Sequence, residues 1–300
     1  MLIFYDYEFN LLMSETNVIS TSWEIHYNDV GNFEAHLPAE SDAVKLIAEE
    51  KYMIVRDGKR YAVLVGFQLS DELVIYGRTC NWLLEKRIVE PSDYSGKAAV
   101  LAKNTILTAF SDTGITAEDG IDGNTVTYSA DSRSTALSVV REILSRDNLG
   151  HSLDFDTKNK KWVFRILKGK TRPLLISEAN KNAWDMSLTE DILDLATCGV
   201  YNGGSCDGGE KTGIYRWQTQ LSASDAAEAE KQLEKCAPKS ELTLKLRGVT
   251  PGEDFELGDI VRVQMIKGAL RKTVKKRIEG IYVESDGTVK PIFEDITEVS

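Results

Sequence analysis

The sequence predicts a mainly β protein of the α+β class, with a compact α/β module between two β-rich regions. Three observations carry this. Residues 1–90 fall into short alternating segments separated by tight turns, the pattern of antiparallel strands. After Pro91 the pattern changes to two helical segments with apolar stripes. From Pro173 the alternation returns, broken by one helical stretch rich in Ala, Glu and Lys.

The first region rests on the stretch Trp23 to Pro38. Trp23, Ile25 and Tyr27 alternate with Glu24 and His26, and Phe33, Ala35 and Leu37 alternate with Glu34 and His36. That is a β-hairpin with one apolar and one polar face, turning at Asn28 to Asn32. Gly31 is expected to supply a positive φ to the turn. Ser41 or Asp42 can cap a short helix over 43–50. Tyr52 to Arg56 and Arg60 to Leu69 read as strands joined at Asp57-Gly58, and Leu73 to Arg78 as the next. Five or six such strands suggest a small barrel or sandwich.

In the middle region, Ala98 to Phe110 reads as a helix with Val100, Leu101, Ile106, Leu107 and Phe110 apolar. A Gly- and Asp-rich loop covers 111–124. Ser134 to Arg146 reads as a second helix, with Leu137, Val140, Ile143 and Leu144 as its core stripe. Residues 151–156 and 161–167 make a hairpin. The last region has strands over 184–188 and 195–201, a flexible Gly-rich loop over 201–210 and a helix from Ser224 to about Cys236. Strands over 242–247, 260–266, 274–284 and 288–294 follow, with turns at Pro251-Gly252 and Asp286-Gly287. The boundaries expected are therefore 1–90, a first barrel-like domain; 91–172, the module; and 173–300, a second β-rich, barrel-like domain. Residues 173–220 are also available to complete the first barrel.

The chain has 300 residues, 42% of them hydrophobic, which suits two or three globular domains rather than disorder. No apolar run approaches the roughly 20 residues of a membrane helix, so no membrane anchor is expected. Met1 to Met13 is interrupted by Asp6 and Glu8 and lacks a basic lead, so it reads as a first strand; synthesis and folding inside the cell are expected. There are 47 acidic and 36 basic side chains, a net charge of −11, which disfavours general attraction to nucleic acid or anionic membrane. Cys80, Cys198, Cys206 and Cys236 form no Cys-x-x-Cys pair, so reduced, partly buried thiols are expected.

No catalytic, cofactor or metal residues are assigned. The Gly-rich loop lacks a phosphate-binding spacing, and Asn202, Asp207 and Glu210 lack that of a calcium loop. His26 and His36 are symmetric about Gly31 and could face each other across the hairpin, but a third metal ligand is not evident. His151 reads as structural or exposed. No Gly-x-Ser-x-Gly elbow supports a triad. The acidic groups Glu190, Asp191, Asp194 and Glu253, Asp254, Glu256 read as solvated faces. The residues expected to hold the fold are Trp23, Tyr27, Gly31, Phe33 and Gly77. Lys267, Arg271, Lys272, Lys275, Lys276 and Arg277 form a basic run in an acidic chain, and are the candidates for contact with a partner. Lysines that blunt an exposed strand edge are the other reading.

Several ordered stretches resemble the baseplate-hub, or tail-associated, proteins of long-tailed phages and prophages. They are Trp23 to Pro38 with its Asn28-Asp29-Val30-Gly31-Asn32-Phe33 centre, Val65-Gly66-Phe67, Ile75-Tyr76-Gly77-Arg78 and Leu83-Leu84-Glu85-Lys86-Arg87. Further along come Leu153-Asp154-Phe155-Asp156 with Trp162-Val163-Phe164, and Leu257-Gly258-Asp259-Ile260-Val261. The resemblance implies tail-tube-like antiparallel β-barrels with an inserted α/β module. It implies a structural hub, a homotrimeric ring with a central channel, that joins the tail tube or distal tail protein to the tip or spike. Tape-measure protein and DNA would pass through, and the virion tail, assembled in the host cytoplasm, would be its location. No cofactor is implied. The rival readings are a tail-tip cell-wall hydrolase and a carbohydrate-binding β protein using Trp82, Trp184 or Trp217.

Overall fold

The alternation around Trp23 becomes a ladder. In the computed structural model, which describes residues 1–130, 132–208, 212–223 and 226–296, the N-terminal strands are β1 (Leu2–Asp6), β2 (Leu11–Glu15), β3 (Ser20–His26) and β4 (Asn32–Pro38). Helix α1 (Ala43–Glu49) follows, then β5 (Met53–Asp57), β6 (Arg60–Leu69) and β7 (Glu72–Thr79). β4 shows the period of two that the sequence predicts: Phe33, Ala35 and Leu37 are buried, while Asn32 and Glu34 are exposed. The Ser41 hydroxyl accepts the Ala43 N–H (3.1 Å) at the start of α1.

The middle region holds β8 (Ile88–Val89), β9 (Ser92–Lys97), α2 (Ala98–Ala109), β10 (Thr116–Ala117), β11 (Thr125–Ala130), β12 (Ser134–Thr135), α3 (Ala136–Ser145), β13 (Leu149–Asp156) and β14 (Lys161–Lys168). Helix α3 starts later than the periodicity suggests. Ser134 and Thr135 pair with β8, and the Thr135 hydroxyl caps the helix by accepting the Ser138 N–H (3.1 Å). Its stripe Leu137, Val140, Ile143 and Leu144 is buried. Helix α2 differs from expectation. It buries Ala98, Ala99, Ala102, Thr105 and Ile106, and leaves Val100 and Leu107 exposed. The helical module has no separate core: α2, α3, β13 and β14 close over Ile54, Val63, Cys80 and Leu84 of the first β region.

The chain continues as β15 (Thr171–Ser177), β16 (Ala183–Asp191), β17 (Cys198–Tyr201), β18 (Gly204–Asp207), β19 (Gln218–Gln220), α4 (Ala226–Glu234), β20 (Lys239–Leu246), β21 (Ile260–Lys267), β22 (Leu270–Glu284) and β23 (Val289–Asp295). The two β-rich ends of the sequence belong to one sheet, in the order β23-β22-β3-β4-β7-β6-β5-β1-β2. The join is β22 against β3, with Val283 opposite Trp23 and Ile281 opposite Ile25. The first half of β22 pairs instead with β21, which carries β15 in parallel on its other edge.

Two compact units result. Met1–Trp184 together with the chain from Leu244 forms the first, and Asp185–Thr243 the second. In the second unit, β17 pairs β18 antiparallel and β19 parallel. Its core is Ala196, Cys206, Leu221, Ala223, Ala229 and Leu233. The start of the Gly-rich loop forms the β17–β18 turn, with Tyr201 opposite Gly204. Glu210 and Ser224, named from the sequence as a loop end and a helix start, lie outside the described residues.

Candidate functional surfaces and the junction behind them

Trp23 and Phe33 face each other across the β3–β4 ladder, ring centroids 4.5 Å apart and both buried. The Trp23 indole N–H donates to Asp57 Oδ2 (3.0 Å), so the polar edge of the ring is satisfied. Gly31 has no positive φ, which corrects the expected reason for a glycine there. The connection after β3 is long enough to turn without one, and its start is fixed by Asp29 Oδ1 accepting the Val30 N–H (2.7 Å). What Gly31 supplies is room: a Cβ would run into the Glu24 carbonyl. Gly77 has the same role, since a Cβ would sit 2.6 Å from the Val63 carbonyl oxygen.

Tyr27 marks the junction of the first unit. Its hydroxyl lies 3.0 Å from the carbonyl oxygens of both Asn148 and Leu167 and accepts the Gly169 N–H (3.1 Å). Its own backbone donates to Glu279 O (2.7 Å) and accepts from the His151 N–H (2.9 Å). Gly150 and Gly258 are packed against the ring, where a Cβ would clash with it. The next residue, Asp259, is almost fully buried. Its carboxylate accepts the N–H groups of Lys170 (2.7 Å) and Glu256 (2.9 Å) and pairs with Arg172. The Leu257-Gly258-Asp259 motif is thus a turn that locks three segments of chain together.

The basic run does not form one surface. Strand alternation and the change of partner along β22 divide it. Lys267, Arg271 and Lys275 are exposed and Lys272 is half-buried. Lys267 pairs with Glu178 (2.7 Å). Lys276 and Arg277 are buried: Lys276 pairs with Asp295, and Arg277 reaches Asn148 Oδ1 (3.0 Å) and Glu294 (3.7 Å). These two hold β23 and the approach to β13, and leave the other four as contact candidates.

The histidines do not converge. His36 lies opposite Ser20, not His26, and is bonded to Glu72 (2.9 Å) and Glu34 (3.2 Å). The bond to Glu72 raises its pKa above the usual range. His26 contacts Glu24 (3.1 Å). His151 is buried, and burial pushes its pKa down to about 3. Asn28 donates its amide to Arg141 O and so presents Oδ1 to His151 Nδ1 (2.9 Å), which fixes a neutral Nδ1–H imidazole. A groove of about 490 Å³ runs beside it, lined in part by Arg60, Tyr61, Asn81, Asp154 and Arg165. Asp154 and Arg165 pair there at 2.8 Å. His151 Nε2, the nitrogen that would have to take a nucleophile's proton, is buried and meets no hydrogen-bond partner among the described residues.

Among the acidic groups, Asp194 pairs with Lys239, Asp191 accepts the Leu193 N–H (3.2 Å) and Asp254 the Thr250 N–H (2.7 Å). Among the described residues, no group of three or more His, Cys, Asp or Glu side chains is placed to hold a metal. Trp82 packs on the main core under Lys86, Trp184 stacks with Lys245, and Trp217 donates to Ile214 O (2.9 Å). None of the three lines the groove.

No protein-family model matches the chain, and no curated protein matches it in sequence. The arrangement of strands and helices does find counterparts. The 43 kDa tail protein of prophage MuSo2 from Shewanella oneidensis superposes with a TM-score of 0.63, covering 98% of each chain at 10% identity. The fold is that of a phage tail protein. A tail protein from Neisseria meningitidis MC58 gives a TM-score of 0.61 at 12% identity, over 98% of this chain and 96% of that one. A chain of the phage P2 baseplate, in its activated conformation with Ca, gives 0.55 at 11% identity over 100% and 99%. The tail-protein fold therefore spans both units and the module, in agreement with the resemblance carried by the ordered sequence stretches.

Proposed function

We propose that this protein is a structural baseplate-hub component of a phage tail or tail-like particle. The observation that supports this is the end-to-end match to tail and baseplate proteins, nearly complete on both chains. In this reading three copies form a ring with a central channel, which joins the tail tube or distal tail protein to the tip or spike. Tape-measure protein and DNA pass through it in transit. The protein resides in the virion tail after assembly in the host cytoplasm. The cations Lys267, Arg271, Lys272 and Lys275 face neighbouring subunits or proteins rather than the lumen, and the net charge of −11 favours an acidic channel that DNA phosphates do not adhere to. The protein is not an enzyme: purified chain should turn over neither peptidoglycan, peptides nor nucleotides. Hydrolysis abolished by one side-chain substitution would instead support the tail-tip hydrolase. Native mass spectrometry of the assembled species and electron cryomicroscopy of the tail test the ring. Three copies around an acidic channel are expected; a monomer in the tail, six copies at this level or a strongly basic lumen would each refute it.

A further inference from the structure

The chain's charge imbalance is concentrated in one place. Between Asp185 and Thr243 lie eleven acidic and five basic side chains, so the second unit carries −6 of the net −11. The same unit exposes large apolar side chains in the two segments that lead into β17 and β19. β17 and β19 run parallel with Cys198 opposite Gln218, so the segments that lead into them lie side by side. Thr197 ties these segments together: its N–H donates to Trp217 O (2.8 Å), and its hydroxyl accepts the Trp217 N–H (2.9 Å). There Leu193 is 90% exposed, Ile214 82% and Tyr215 69%. Single exposed apolar residues are ordinary, but several at one end of a small unit mark a contact surface.

An apolar end on an acidic unit fits a partner with apolar tips flanked by cations. This chain carries such a feature at the turn of the β21–β22 hairpin. Ile266 and Leu270 are exposed there, with Arg271 opposite Ile266 and Lys267 opposite Leu270. We propose that the β21–β22 tip of one copy docks on the Leu193–Ile214–Tyr215 end of the next copy. The contact is head to tail, with different surfaces on the two copies, the kind that closes a ring when the rotation per copy is a whole fraction of a turn. It deepens the ring reading above and rests on it.

Charge-swap variants of the full chain, followed by sedimentation velocity, test the docking. Leu193→Lys, which sets a cation against Arg271, and Arg271→Glu, which sets a carboxylate against the acidic end, should each weaken association by about tenfold or more. Both side chains are exposed, so folding should survive. Combining Leu193→Lys with Arg271→Glu restores opposite charge across the contact and should recover association. Wild-type-like assembly in both single variants, or weakening without recovery in the swap, overturns the docking and leaves the ring reading standing. A wild-type chain that stays monomeric at every concentration overturns both.

Discussion

At the scale of single residues, the apolar face of the first hairpin and the junction behind it decide most of the stability. Trp23 is 1% exposed and fills the space between β3, β4 and Asp57. Trp23→Ala removes that volume and one of the two donors to Asp57 Oδ2, and should cost about 3–5 kcal/mol in a denaturant titration. An unchanged midpoint would mean that the ring does not pack where the ladder places it. Tyr27→Phe keeps the ring and removes only the hydroxyl. The carbonyls of Asn148 and Leu167 and the Gly169 N–H then lose a buried partner, for a loss of about 1–3 kcal/mol. Glu279 gives the stability a pH dependence. Burial, and then the nearby Glu294 carboxylate, raise its pKa from the ordinary 4.5 to about 7. A carboxyl with a raised folded pKa holds its proton more tightly when folded. Its cost is therefore full above pH 7 and is relieved as the pH falls from about 7 towards 4.5. His151 acts in the opposite sense, since it is held neutral with a pKa near 3 and loses stability as the pH falls below 6.5. Comparing Glu279→Gln with wild type cancels the histidine. The variant should be the more stable at pH 8, and its advantage should shrink by pH 5.5; a constant difference would show that Glu279 is not the group responsible.

At the scale of elements, what the sequence made legible was local. The Asp57-Gly58 hairpin, the β13–β14 hairpin and the stripe of α3 all stand where period and turn chemistry place them, because neighbours in sequence settle them. Strands β9 and β11 were not legible. They are largely polar, and they pair with each other across the whole of α2 and the loop after it. Helix α2 was found, but not its buried face, since alanines give a weaker stripe than Val100 or Leu107. The basic run was visible as composition, but which of its members are buried depends on β23 pairing with β22 from Lys276 onward. Gly31 was singled out for the wrong reason, because a close approach to Glu24 is a contact between strands and leaves no mark in the turn sequence. At this scale the Thr135 cap is the simplest test: Thr135→Ala should destabilise the protein by about 1 kcal/mol, and Thr135→Ser by less, in thermal unfolding.

At the scale of the whole molecule, the sheet's connectivity makes the N-terminal and C-terminal strands of the first unit mutually dependent. Strand β3 lies between β4 and β22, so without the C-terminal segment one edge of β3 loses its partner from Ser22 to His26. Tyr27 would also lose its bond to the Glu279 carbonyl and the turn at Gly258 that packs against its ring. Asp259, which fixes Lys170 and Arg172, would be missing as well. An open edge flanked by newly exposed apolar surface favours aggregation over folding. A fragment of residues 1–172 contains every strand of the first β region and the whole module, yet it lacks the element that closes them. It should therefore fail to give a cooperative unfolding transition, and should bind a hydrophobic dye or precipitate. Adding residues 244–300 as a separate chain should restore the transition, because the missing ladder is supplied in trans. Cooperative unfolding of the 1–172 fragment alone would show that the first β region and the module stand without β22, and that the join between β22 and β3 is a contact between finished domains.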